Sequence, residues 1–486
     1  MYLNKTDDLF WKLNMVQKRL VMKFGGTSVG TSEGMAQVVD IISQTHTDWS
    51  QVMVVISALS GVTDLLLECS QQAVSGEDGA ITEAANFLLD RHSEIAADLI
   101  SEPTLRDSVT QDVKSLIAEF SNLCNAICVL GESTPRALDA LLSLGERMSV
   151  RILAGALQSG RIPSQYLEAT HFIITDDHFQ NAHPDLDATG RKTREVIQPL
   201  LEAGIIPIIT GYIGATPNGV TTTLGRGGSD YTAALVATAM DAAEVWIWTD
   251  VDGVMTADPH LVPDAKTINE LSYREVSELA YFGAKVLHPK TIRPVIEAGI
   301  GLWVRNTFNP TNPGTQILEQ LDQRKSGNIK AVTIIPSQCL ITIEGRGMLG
   351  VPGVAARTFA AVATTGTSVA LISQASSEQS ICFAAPSHSS HRVIASLEDS
   401  FSAELGCRDI DRIWGTDDVT IVTVVGAGMR NTPGISGRVF SALGANNVNV
   451  IAIAQGSSEV SISLVVDAGD TQAALLALHE LINKER

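Results

Sequence analysis

Four separated stretches of this chain carry residue types that could do chemistry. Lys23-Phe24-Gly25-Gly26-Thr27-Ser28 sets a cation just ahead of paired glycines. Glycines let backbone amides approach a phosphate closely, and a lysine supplies a point charge. The spacing is not that of a Walker loop, which needs GxxxxGK[ST], and a plain glycine turn beside a surface lysine is the bland alternative. Leu224-Gly225-Arg226-Gly227-Gly228-Ser229-Asp230-Tyr231 clears side chains from both sides of Arg226. There Ser229 or Asp230 is expected to cap a helix over 231–240, and a helix start beside an arginine suits a carboxylate or phosphate. Thr249-Asp250-Val251-Asp252-Gly253 offers two aspartates that could orient Mg²⁺ or simply build an Asx turn. Phe282 to Pro289 places Lys285 in an apolar stretch, where an ammonium needs either an anionic partner or a route to water.

The elements around these stretches position them. Residues 20–24, 52–57, 205–209 and 245–248 read as short buried strands, and the first and last run directly into candidate loops. Helical periodicity fills 38–43 and most of 81–142. Gly211 to Leu224 reads as a hairpin turning at Pro217-Asn218-Gly219, and Ser272 to Glu275 has capping-box spacing. Strands alternating with helices indicate an α/β sandwich with a mainly parallel sheet, whose ligands gather at the C-terminal strand ends. Composition shifts at Asn312-Pro313-Gly314 and again over 325–328, which sets the major boundary there.

Beyond that boundary the chain repeats itself. Gly345-Arg346-Gly347-Met348 matches Gly426-Ala427-Gly428-Met429 at an offset of 81 residues (426 − 345). The same offset carries Pro352-Gly353 onto Pro433-Gly434, Arg357 onto Arg438, Phe359 onto Phe440 and Gln374 onto Gln455. One unbroken offset means two copies of one α+β module. The expected domains are 1–325, 331–410 and 411–486.

The 486 residues are 45% hydrophobic and 18% charged, as in a globular protein with large cores, and aromatics are 5%, so those cores are mostly aliphatic. A net charge of −20 argues against nucleic acid or an anionic membrane as partner, because phosphate backbones reward clustered Lys and Arg. Local cations in so acidic a chain are correspondingly informative. Cys124 and Cys128 lack a second ligand pair, so reduced buried thiols are expected rather than zinc. No segment reads as a bilayer span, and nothing in the first twenty residues resembles a signal peptide, so the expected location is the cytoplasm. Met15 and Met22 are alternative starts, and the extension before them is expected to be peripheral.

Together KFGGTS at Lys23, SALSGVT from Ser57, LGER ending at Arg147, TLGRGGSDY from Thr223, WTDVDGV from Trp248 and FGAKVLHP from Phe282 resemble aspartate kinases. That family has the amino-acid kinase (carbamate-kinase-like) three-layer sandwich, followed by paired ferredoxin-like ACT modules. The resemblance covers essentially the whole chain. Its kinase half is most similar to that of bifunctional aspartate kinase–homoserine dehydrogenases, yet no dehydrogenase follows, so a monofunctional enzyme is expected.

The resemblance implies an ATP- and Mg²⁺-dependent kinase making 4-phospho-L-aspartate, the first step toward lysine, threonine and methionine. Lys23 and Lys285 would neutralise the transferring phosphoryl group, with Asp230 organising them. Gly25, Gly26 and Ser28 would cradle phosphates through the backbone. Arg226 would meet the α-carboxylate of aspartate and Glu146 its ammonium, while Ser57, Thr63 and Ser229 hydrogen-bond the substrate. Thr249 and Asp250 would line the nucleotide site. Met255 stands where the family commonly has Tyr, and His260 where it commonly has Arg, both on the nucleotide side.

In the modules, Gln374 and Gln455 open segments resembling the QxSSE stretches of threonine-sensitive aspartate kinases. Threonine is therefore the favoured effector, with lysine its rival, acting by shifting the population toward a state with Arg226 and Lys285 displaced. Pairing of ACT modules between chains implies a homodimer or tetramer. A different amino-acid kinase, or a catalytically dead sensor, are the competing readings, and retention of Lys23, Arg226, Asp230 and Lys285 speaks against the second.

Overall fold

The computed structural model describes residues 18–76, 78–284, 287, 289–319, 328–375, 379–429, 432–455 and 460–485. They form two compact units: 18–254 with 269–271 and 287–319, and 255–268 with 272–286 and 328–485.

In the first unit the strands β1 (Arg19–Phe24), β2 (Gln51–Ile56), β3 (Ser164–Leu167), β4 (Ile206–Thr210), β7 (Glu244–Thr249) and β9 (Gly301–Asn306) lie parallel. The sheet order is β3-β4-β2-β1-β7-β9-β10-β8, where β10 (Thr315–Leu318) runs antiparallel to β9 and β8 is Glu270–Ser272. Every residue of β2 and β4 is buried, as expected for strands covered on both faces. The covering helices are α1 (Ser32–Asp48), α2 (Val62–Val74), α3 (Asp78–Leu99), α4 (Pro103–Leu130), α5 (Pro135–Ser159), α6 (Leu186–Glu202) and α7 (Gly228–Ala239). The expected hairpin forms β5 (Ile213–Ala215) and β6 (Thr221–Thr223).

Two expectations change here. Asn312 to Gly314 is not a domain boundary but the turn joining β9 to β10 within this unit. Helix α4 is long and apolar enough to cross a membrane by length and composition, contrary to the sequence reading. Its Val113, Leu116, Phe120, Cys124 and Ile127 instead fill the unit's core, which is why the segment is so apolar. None of the six cysteines is in a disulfide, and Cys69, Cys124 and Cys339 are buried.

The second unit is built on one six-stranded sheet, β12-β13-β11-β14-β16-β15. The module elements recur 81 residues on: β11 (Ala331–Glu344) as β14 (Arg412–Val425), and β13 (Ser380–Pro386) as β16 (Ser461–Asp467). Helix α10 (Val354–Thr364) recurs as α12 (Ile435–Ala445), and α11 (Ser390–Ser400) starts where α13 (Thr471–Glu485) starts. The short strands β12 (Leu371–Gln374) and β15 (Ala452–Ala454) close the set.

The modules are not contiguous segments, however. Both long strands bend at a left-handed residue, Ser337 (φ 57°) and Asp418 (φ 54°), and the β11–β14 register shifts beside them. Past the bend, residues 338–344 pair with β13 and belong to module 1, while 331–335 pair with 421–425. Module 2 thus takes its fourth strand from ahead of module 1, which is inserted within it. Neither module leaves that strand edge open.

The first unit is also not one unbroken span from 1 to 325, because 255–268 and 272–284 group with the second unit. Helix α8 (Tyr273–Tyr281) opens with the expected capping box of Ser272 and Glu275, but Glu275 is fully buried in the second unit. There it accepts from the Ala427 amide at 2.7 Å and pairs with Lys330 at 3.1 Å. Phe282 packs with Leu340, Val419 and Val465 in that unit too.

Candidate active site

The C-terminal ends of β1, β2 and β7 converge on one polar cluster in the first unit. Lys23, the penultimate residue of β1, places Nζ 2.7 Å from Asp230 Oδ1, both side chains largely buried. The Gly25 amide donates to Trp248 O at 3.2 Å, which ties the glycine turn to the end of β7, and Phe24 stacks on Trp248. The Ser57 amide donates to Phe24 O at 3.2 Å, tying β1 to the end of β2.

Asp230 and Ser229 are not helix caps. Gly227 at φ 74° turns the chain into α7 one residue before Gly228, and no side chain caps the helix. Left-handed glycine begins the helix earlier than a Ser or Asp cap would, so both side chains are released. Ser229 Oγ accepts from Ser57 Oγ at 3.0 Å, and Asp230 meets Lys23.

Glu146 completes the cluster from α5. Gly145 lets that helix approach closely, since a Cβ there would lie 2.7 Å from the Ala58 methyl. Ser149 Oγ binds both Ser57 O (2.9 Å) and Glu146 O (3.1 Å). The Glu146 carboxyl is fully buried, and desolvation pushes its pKa up to about 8 against the pull of a hydrogen bond from the Ala58 amide. Its Oε2 is buried without a hydrogen-bond partner. An orphaned buried carboxyl oxygen is costly unless a ligand satisfies it. Among the described residues no Lys or Arg pairs with Glu146; the neighbouring Arg147 is committed to Glu119 and Glu168.

The other predicted positions sort by surroundings. Arg226 is exposed between left-handed Gly225 and Gly227. Thr63 is half-buried in the first turn of α2. Ser28 is buried, its hydroxyl 2.7 Å from Thr307 Oγ1 and its amide donating to Gly25 O. The amides of Gly25 and Ser28 are thus engaged by the protein. Thr249 ends β7 and donates to Asp250 Oδ1 at 3.1 Å, with Asp250 exposed. Asp252 builds structure, accepting from Asn306 at 2.7 Å and Asn309 at 3.1 Å. Lys285 lies outside the described residues. Met255 and His260 belong to the second unit, where Met255 Sδ accepts from Thr267 and the His260 amide donates to Asp258.

Sequence reasoning missed Asp139, Tyr212 and Thr223. Asp139 is fully buried and accepts from Thr223 and Gln180. Burial pushes its carboxyl above the usual range, and those hydrogen bonds oppose the shift. An acid inside the apolar run Ala137-Leu138-Asp139-Ala140-Leu141-Leu142 was the available signal.

In the second unit, the glycine turn of module 1 lines a cavity of about 350 Å³ with Met348, Val351, Pro352, Gly353, Gln374 and Ile381. Gln374 and Gln455 are both exposed at the ends of their strands. The segments that follow them, 376–378 and 456–459, lie outside the described residues.

Residues 18–306 match the amino acid kinase family, and 341–401 and 422–481 match the ACT domain. The chain is 37% identical over 467 residues to bifunctional aspartokinase/homoserine dehydrogenase 1, chloroplastic, of Zea mays, covering 94% of this chain and 50% of that one. It spans about half the length of such bifunctional relatives. It is 33% identical to aspartokinase 3, chloroplastic, of Arabidopsis thaliana, covering 96% of this chain and 83% of that one. Among solved structures it is similar to E. coli aspartokinase III in complex with aspartate and ADP (R-state), with a TM-score of 0.79 and 28% identity over 96% of this chain and all of that one. The same enzyme with lysine and aspartate (T-state) gives a TM-score of 0.74 at 29% identity, over 95% and 99% of the two chains.

Proposed function

This chain belongs to the amino acid kinase family, and we propose on that premise that it transfers the γ-phosphoryl group of ATP to the side-chain carboxylate of L-aspartate. The observation that carries the reading is the orphaned, buried Glu146 Oε2 in the same cluster as Ser57, Ser229 and the Lys23–Asp230 pair. A buried carboxylate calls for a cationic partner, and an amino acid's ammonium supplies one. Arg226, exposed on its glycine loop, offers a fork for the α-carboxylate. The likeness to an enzyme solved with aspartate and ADP supports the same substrates.

No protein nucleophile is needed, because the acceptor carboxylate is already ionised at neutral pH. The work of the site is to hold two anions in line and offset their repulsion. Lys23 does this at the end of β1, with Asp230 fixing the ammonium until phosphate replaces it. Mg²⁺ fits as the counter-ion of ATP, held by phosphates and water with Asp250 exposed nearby in sequence to Thr249, rather than by a protein cage.

The module 1 cavity is proposed as an amino-acid effector site. Gln374 in its lining offers donor and acceptor to a hydroxyl, and none of the described lining residues is acidic. Threonine is therefore the favoured effector, although E. coli aspartokinase III was solved with lysine. The ACT sheet is also the proposed surface for homo-oligomerisation, through exposed Ile372 and Ile453 at equivalent positions of the two modules.

An ADP-release assay with aspartate, glutamate and UMP tests the substrate. Turnover with aspartate at least ~100-fold above the others is expected. Equal or greater turnover with either rival removes the proposal.

A further inference from the structure

Asp139 and Glu146 occupy the same helix, α5, seven residues apart and therefore on the same face. The Asp139 carboxylate is surrounded by donors alone. Oδ2 accepts the Thr223 amide at 2.9 Å, Oδ1 accepts Thr223 Oγ1 at 2.8 Å, and the Gln180 amide lies 3.0 to 3.1 Å from both oxygens. No Lys or Arg is paired with it among the described residues.

Both partners lead to the arginine loop. Thr223 ends β6, and Leu224-Gly225-Arg226-Gly227 follows at once. Gln180 and Asn181 pack against Gly225, where a Cβ would lie 2.8 Å from Asn181 Oδ1 and 3.1 Å from Gln180 O. Tyr212 adds a third strut: its carbonyl accepts the Leu224 amide at 2.9 Å. The loop bearing Arg226 is thus fastened to the helix that bears Glu146.

We propose that Asp139 is a positioning residue for the amino-acid substrate, fixing the Arg226 loop at a set separation from Glu146 so that α-carboxylate and ammonium are gripped together. The inference rests on the reading of Arg226 and Glu146 given above. It goes beyond that reading by assigning the geometry of the grip to a side chain that touches no substrate. Fixed separation matters because a rigid amino-acid backbone tolerates little error between its two charged ends. The all-donor surroundings demand a carboxylate: an amide would turn its own N–H₂ toward at least one donor.

The test is two-substrate kinetics on Thr223→Val, Thr223→Ser, Asp139→Asn and Arg226→Ala. Thr223→Val keeps the volume and removes one donor to Asp139, and Thr223→Ser restores it. Thr223→Val and Asp139→Asn should each raise KM for aspartate ~10-fold or more while KM for ATP stays within ~2-fold, and Thr223→Ser should return it to near wild type. A loss of thermal stability with both KM values unchanged, or equal rises in the two, would make Asp139 a structural staple and overturn the proposal. If Asp139→Asn does not fold, the Thr223 pair decides. Arg226→Ala separates the levels of the argument. A raised aspartate KM there with wild-type values in the Thr223 and Asp139 variants defeats only the positioning role. An unchanged one defeats the underlying substrate reading.

Discussion

The strand-end cluster of the first unit and the glycine turn of module 1 build their proposed sites by opposite means. The cluster takes Lys23, Ser57, Glu146 and the adjacent Ser229 and Asp230 from four places in the chain, each used once and joined by side-chain contacts. The turn relies on backbone, and its geometry recurs 81 residues later: Gly353 and Gly434 open α10 and α12 at φ 92° and 90°. A site defined by side-chain charge is destroyed by one substitution. A site defined by backbone shape can be duplicated, and then needs few side chains to tell its copies apart.

The contrast is sharpest at Lys23. Lys23→Ala should lower kcat by about 10³-fold while the chain stays folded, because a preorganised charge at the transferring group is lost. Near-normal single-turnover rates would break the comparison at its charged end. Arg226→Ala should lower kcat/KM for aspartate by roughly 10- to 100-fold, the value of a charged hydrogen-bonded contact, with little change for ATP. Initial rates at varied aspartate measure it.

At the other region the effects are smaller and regulatory. Gln374→Ala should raise the threonine concentration for half-inhibition by about 10-fold, whereas Gln455→Ala should shift it by less than about 2-fold. Inhibition by lysine but not threonine would overturn the effector assignment, and equal shifts would show that both copies bind.

The smallest effect is a pH dependence at Glu146. Its pKa in the folded chain, about 8, lies above the ordinary carboxylate value of 4.5. The folded state therefore holds its proton more tightly than the unfolded chain. The associated stability is fully present below pH 4.5 and is lost as pH rises through 8. Glu146→Gln should raise the melting temperature of the ligand-free protein by a few °C, about 2–4, at pH 9 relative to wild type, with a smaller gain at pH 6. The same substitution should remove a rise in kcat/KM for aspartate centred near pH 8, since only the ionised form answers an ammonium. Parallel melting curves at both pH values would contradict the burial argument.

Much of this was legible before folding. Buried strands over 20–24, 52–57 and 245–248, the hairpin at Asn218-Gly219 and the Ser272–Glu275 box follow from local pattern, and the structure has all of them. The 81-residue repeat predicted a duplicated α+β module, and the second unit contains one. The cap assigned to Ser229 or Asp230 failed because sequence does not report which glycine turns left-handed. The partners of Asp139 stayed invisible because its three donors come from residues 180 and 223, beyond any local window.

By itself the sequence determined the inventory of elements, the duplicated module and the set of charged and glycine-rich loops, since each depends on neighbours a few residues away. Only the tertiary structure decided where the modules divide, because β11 and β14 share their halves across a bend that no periodicity marks. It alone decided that α8 packs with the second unit and that Glu146 is buried with one oxygen unsatisfied. Burial and partnership are properties of packed surfaces, and chain order does not specify which surfaces meet.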